Sequence, residues 1–160
     1  MPTATEISLK IGDKAPEFNL PSSTGKNIVL KDLKGKNVVL YFYPKDDTPG
    51  CTKEACDFRD TIRVFEKENV VILGVSFDDL KSHEKFIQKY KLPLTLLFDE
   101  NKEVASAYGV YKLKSFMGKS YWGIERATFW IDSQGKIKQI WPKVKVEGHI
   151  EEVLAAIRKT

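Results

Sequence analysis

Residues 41–60 read YFYPKDDTPGCTKEACDFRD and hold the chain's only two cysteines, Cys51 and Cys56. The segment leaves an apolar, aromatic run typical of a strand and opens a helix. Thr48 is placed as an N-cap, Pro49 as the first helical residue and Gly50 as the second, which puts Cys51 at the third helical position. Amides there have no intrahelical acceptor and the helix dipole adds partial positive charge, so a thiolate is favoured over a thiol. The plainer reading, one more small buried apolar residue, leaves the coincidence of cap, turn and second cysteine unexplained.

Spacing decides which chemistry the pair can do. Five helical residues rise about 7.5 Å and turn about 500°, leaving the side chains about 140° apart. A disulfide wants its Cα atoms within about 7 Å and its Cβ vectors converging. An intact helix and a Cys51–Cys56 bond therefore exclude one another. If the two join during a cycle, the first turns must unwind; a permanent disulfide would stop the helix from starting at its cap. A structural zinc is poorly served, because the only histidines, His83 and His149, lie far off without ligand spacing. Helical phase separates the thiols. Cys51, Ala55, Phe58, Ile62 and Phe65 recur as a core-facing stripe, whereas Cys56 falls with Arg59, Asp60 and Arg63. Cys51 should point inward to a small pocket and Cys56 should lie nearer solvent, which suits one thiol that reacts and one that resolves.

Pro44, Thr48 and Cys51 reproduce the proline, three residues, threonine, two residues, cysteine signature of the peroxiredoxins. The second cysteine, in TPGCTKEAC, resembles the bacterioferritin-comigratory or peroxiredoxin Q subfamily. The resemblance continues through GDKAPEFNLP at 12–21, YKLPLTLLFD at 90–99, ERATFWID at 125–132 and WPKVKVEGH at 141–149, so it covers nearly the whole chain. It implies that Cys51 is the peroxidatic cysteine, Cys56 the resolving cysteine and Arg126 the arginine beside the thiolate. Glu54 stands where that family often has a Glu or Gln that orients the arginine.

The activity so implied is reduction of hydrogen peroxide and organic hydroperoxides. Cys51 sulfur takes the distal peroxide oxygen and becomes a sulfenic acid. Cys56 condenses with it, after local unwinding, to a redox-active Cys51–Cys56 disulfide that a dithiol donor such as thioredoxin reduces. No metal, haem, flavin or other cofactor is expected. A thiol of ordinary pKa, about 8.5, is already a few per cent ionised near pH 7, so full ionisation gains only about 30-fold. Larger acceleration must come from holding the peroxide and stabilising charge on its departing oxygen. Arg126, the Thr48 hydroxyl and the amides near Cys51 are the candidates, with Pro44 and Pro49 shaping and partly drying the pocket. The chain lacks thioredoxin's own Cys-x-x-Cys, which argues against a general disulfide reductase. A thiol-disulfide oxidoreductase and a redox-sensing binding module are the alternatives on the same fold.

A chain of 160 residues suits a single domain spanning 1–160. With 30% charged and 42% hydrophobic residues its balance is that of an ordinary globular protein. The net charge of +4 comes from scattered lysines, whereas nucleic-acid binding wants them on one face. The nearest cluster, YKLKS at 111–115 with Lys119, reads as a solvated loop. No apolar run reaches the about 20 residues needed to cross a membrane, and MPTATEISLK lacks signal architecture. Two thiols without a secretory signal fit the cytoplasm. The expected partners are a peroxide and a thioredoxin-type reductant, with no nucleic acid and no membrane, and the expected state is a monomer or weak homodimer.

Along the chain, strands are expected near 17–20, 28–30, 37–43, 70–76, 94–98, 127–132 and 136–141. Helices are expected from Pro49 to about Glu68, at 80–90, 102–108 and 149–158. His83 is read as an amphipathic boundary residue of the second helix, and Tyr121 and Trp122 equally as walls of the pocket or as core. The order describes an α/β chain with a mixed central sheet covered by helices on both faces, and it resembles a thioredoxin-like fold with an N-terminal extension. A ligand site is expected at the carboxyl ends of the parallel strands, where the 43–51 turn lies. Arg126 reaches it if its strand neighbours the first core strand.

Overall fold

The computed structural model describes residues 7–159. An N-terminal ribbon pairs β1 (Asn19–Pro21) with β2 (Asn27–Val29). The core follows as β3 (Asn37–Phe42), α1 (Pro49–Lys67), β4 (Val70–Ser76), α2 (Leu80–Tyr90), β5 (Thr95–Phe98) and α3 (Glu103–Ala107). A hairpin of β6 (Tyr111–Phe116) and β7 (Lys119–Ile124) precedes β8 (Ala127–Ile131), β9 (Ile137–Trp141) and α4 (His149–Arg158). The main sheet has five strands in the order β5-β4-β3-β8-β9, with β3, β4 and β5 parallel and β8 and β9 antiparallel to their neighbours.

β3 is the centre because it is apolar on both faces. Val38, Leu40 and Phe42 enter one core with Phe18 and Leu20 of the N-terminal region and Tyr108 at the end of α3. Val39 and Tyr41 enter a second core with Phe58 and Phe65 of α1, Phe86 of α2, and Val153 and Ile157 of α4. Alternation along a strand sends neighbours to opposite faces, so a continuous apolar run marks a strand covered twice. The expected mixed sheet with helices on both faces is what the chain forms.

The side chains of Tyr41 on β3 and Leu96 on β5 close over Gly74 of β4 and leave it no room for a side chain. A Cβ there would sit 2.8 Å from Tyr41 Cζ and 2.9 Å from Leu96 Cδ2. Gly74→Ala should therefore destabilise the fold by about 1–3 kcal/mol, the usual effect of overpacking a core. Urea denaturation of the two proteins checks this, and equal midpoints would mean that the sheet yields at this point.

Two expectations are corrected. Residues 111–116 are a strand of a β-hairpin and not a solvated loop: Leu113 faces Trp122, Lys114 faces Tyr121, and Met117 and Gly118 turn the chain with φ of 51° and 80°. Positive φ at both turn residues matches the twist of paired strands. His83 is fully buried and not a boundary residue. Its Nε2 lies 2.9 Å from the Leu97 carbonyl and its Nδ1 2.7 Å from Asp46 Oδ2. A carbonyl only accepts, so Nε2 must donate, and a proton must also lie between Nδ1 and Asp46.

Candidate active site

α1 begins at Pro49 with Thr48 as its N-cap in extended conformation, so Cys51 is the third helical residue as expected. The cap works through the backbone alone. The Thr48 hydroxyl donates to the Lys45 carbonyl at 2.9 Å and caps no helical amide. Asp47, in the tight turn before the helix, has φ 57°. The turn is tied to α2 by Ser82 Oγ donating to Asp46 and by Lys89 and Tyr90 donating to Asp47, and Tyr43 Oη at the end of β3 also donates to Asp46.

Cys51 is 2% exposed, packed in the core that holds Tyr41, Tyr43, Ala55 and Phe58, and Cys56 is half-buried. Both are free thiols of one unbroken helix. Pro44 and Pro49 are exposed, Pro44 in the turn after β3 and Pro49 at the start of α1.

β8 runs antiparallel beside β3, with Ala127 opposite Phe42. Arg126, one residue earlier, is thereby carried to the carboxyl end of β3. Its Nη2 donates to Cys51 Sγ at 3.2 Å and its Nη1 to Glu54 Oε1 at 2.6 Å. A planar guanidinium makes two such bonds at fixed angles, which an ammonium does not. Gly50 leaves space for this approach: a Cβ on it would lie 3.1 Å from Nη2.

The electrostatics are those of a dry ion cluster. Glu54 is fully buried, and burial pushes its carboxyl up to about 7 against the downward pull of Arg126. Burial opposes the charge of Arg126, yet Glu54 and then Cys51 hold its guanidinium above its usual value. Lys114 of β6 stands near enough for Arg126 to act with burial in pushing its ammonium down, with Cys51 opposing. Burial, then Arg126, lowers His149 of α4 to about 4, and its Nε2 lies 2.8 Å from Thr128 Oγ1. Among the described residues, Tyr41 Oη and Glu54 Oε2 are buried without a hydrogen-bond partner.

Cys51, Glu54 and Arg126 are thus brought into direct contact, Thr48 lies one turn away, and Cys56 is on the same helix beyond bonding reach. Tyr121 is about half exposed and Trp122 packs at a tilt on Tyr111, their ring centroids 5.5 Å apart. The burial of Glu54 had a sequence signal, since it shares the stripe of Cys51, Ala55 and Phe58. The Asp46–His83 pair had none, because no periodicity links a turn to a helix that far along the chain.

The AhpC/TSA family pattern matches residues 11–140. A Bcp peroxiredoxin of Coxiella burnetii is 55% identical over 151 residues, which are 94% of this chain and 100% of that protein. Peroxiredoxin Bcp of Bacillus subtilis is 49% identical over 152 residues, 95% of this chain and 97% of its own. Among solved structures, the bacterioferritin comigratory protein of Xanthomonas campestris, studied for alkyl peroxide reduction, matches with a TM-score of 0.87 at 39% identity. The match covers 96% of this chain and 98% of that one.

Proposed function

The chain belongs to the AhpC/TSA family and is a thiol peroxidase of the Bcp and peroxiredoxin Q kind, and from that premise we propose that Cys51 is its peroxidatic residue and Cys56 its resolving residue. Members of this family act on peroxides with thioredoxin-type reductants. The observation that carries the assignment is the guanidinium of Arg126 held 3.2 Å from Cys51 sulfur by a buried glutamate.

In the proposed cycle, Cys51 thiolate attacks the distal oxygen of hydrogen peroxide or an organic hydroperoxide. The sulfur–oxygen bond forms as the oxygen–oxygen bond breaks, and water or an alcohol leaves after taking a proton. Arg126 is placed to donate to the oxygen on which charge develops. The Thr48 hydroxyl gives its proton to Lys45, so toward a peroxide it serves as an acceptor that orients the O–H. The Cys51 sulfenic acid then condenses with the Cys56 thiol, releasing water and forming the disulfide that a dithiol reduces. The proposal includes a single domain over 1–160, a monomeric or weakly dimeric state, a cytoplasmic setting suited to free thiols, and no nucleic-acid or membrane partner. No helix among the described residues is long and apolar enough to cross a membrane.

Peroxide consumption coupled to thioredoxin, thioredoxin reductase and NADPH tests the reading. Catalytic loss of NADPH that requires peroxide supports it. Reduction of protein disulfides without peroxide turnover would replace it with an oxidoreductase, and a single stoichiometric oxidation would replace it with a redox sensor. Cys56→Ser should keep one round of oxidation, with a Cys51 sulfenic acid visible by mass, and lose at least about tenfold in thioredoxin-supported turnover. Unchanged turnover would remove Cys56 from the cycle.

A further inference from the structure

Glu54 lies between the two cysteines in sequence, so every conformation that joins Cys51 to Cys56 lifts it from its site. In the intact helix it is 0% exposed. Its Oε1 accepts from Arg126 while Oε2 is buried without a hydrogen-bond partner. A buried carboxylate with one unsatisfied oxygen is a costly arrangement, and a proton on Oε2 removes the buried charge, the larger part of that cost. We propose, building on the resolving role assigned to Cys56, that Glu54 is a proton-operated latch that holds the first turns of α1 closed while neutral and releases them when ionised.

Opening in this scheme moves Glu54 from a buried carboxylic acid to a solvated carboxylate and gives one proton to water. No oxidant or reductant is involved in the opening itself. Cys51 shares Arg126 with Glu54 and is present in wild type and Glu54→Gln alike, so their comparison isolates Glu54; the other groups facing it do not supply the same titration. Tyr41 of β3 is held well above its usual value by burial and then by Glu54, so it stays neutral. Arg126 stays charged. Asp57, on α1 itself, acts on Glu54 only as a weak raising influence. His149 of α4, next to Arg126, titrates near 4, below the window concerned.

The sign follows from linkage. A carboxyl raised from 4.5 to about 7 in the closed helix stabilises the closed form fully below its unfolded value. That stabilisation is lost as pH rises through the folded value. The open fraction should therefore climb between these limits and level off above them. The two values bound the climb at about 300-fold.

Amide exchange of residues 49–60 in the reduced protein, corrected for intrinsic rates, is the test. From about pH 5 to about pH 7.5 the opening equilibrium should rise at least about tenfold in wild type and less than about twofold in Glu54→Gln. Equal pH dependence in both proteins would overturn the latch. The rate of disulfide formation after one equivalent of peroxide should show the same window in the ratio of wild type to Glu54→Gln, where ionisation of Cys56 cancels. Absence of a Cys51–Cys56 bond by mass would sink the resolving assignment, and the exchange experiment would still decide the latch. Should Glu54→Gln not fold, carbon-detected NMR of the wild-type Glu54 carboxyl decides: a midpoint near 7 supports the latch and an ordinary carboxylate midpoint ends it.

Discussion

Cys51→Ser will lower peroxide turnover by at least about 1,000-fold, because a serine hydroxyl is not ionised near neutral pH and no neighbouring base is placed to activate it. Only Arg126 contacts the sulfur through a hydrogen bond in the described site, and an arginine donates; it does not take a proton. The substitution is nearly isosteric at a position 2% exposed, and the hydroxyl can still accept from Arg126, so the fold should persist. Circular dichroism and thermal unfolding of the variant separate lost chemistry from lost structure. Folded Cys51→Ser with more than about a tenth of wild-type turnover would assign the reaction to another group.

Arg126→Lys will slow the oxidation of Cys51 by about 100-fold, the scale seen when one preorganised donor to a developing oxyanion is removed. The charge is kept, but an ammonium cannot bond Glu54 and sulfur from two nitrogens in one plane. It must choose, and Glu54, fully buried and only 2.6 Å from the arginine that the lysine replaces, is the nearer partner. Stopped-flow oxidation of the reduced protein measures the effect. Repeating it at alkaline pH, where the thiol is ionised in both proteins, separates two roles for the arginine. If the variant regains the full wild-type rate there, Arg126 acts only by promoting ionisation; a persistent deficit means that it also acts on the peroxide.

The fold was legible where physical periodicity is strong. The run at 38–43, apolar or aromatic at every position after Asn37, marks a strand covered on both faces, and α1, α2 and α4 declared themselves by stripes that bury Phe58, Phe86 and Val153. Cys51 was legible because proline, glycine and an N-cap position converge on it. Arg126 was legible only through resemblance, since nothing local says that the strand after it lies beside β3. The β6–β7 hairpin was missed because its faces mix lysines with exposed Leu113 and Phe116, which hides the alternation. Thr48 was half right: its backbone caps and its hydroxyl does not, a choice fixed by the orientation of one carbonyl in the preceding turn. Asp46 and His83 were missed because a shared proton between a loop and a helix leaves no pattern in the order of residues.

The placement of β8 against β3 also governs when the thiol comes under its arginine. Cys51 and Arg126 stand 75 residues apart in the chain, and the parallel unit of β3, α1 and β4 is synthesised long before β8. Bringing β8 alongside β3 closes a long loop, a slow step compared with forming the helix itself. During synthesis the cysteine helix can form and bury its apolar stripe while the guanidinium is still within or near the ribosome. A nascent chain therefore carries its thiol without the donor that readies it for peroxide. The full site is assembled only when β8 pairs with β3.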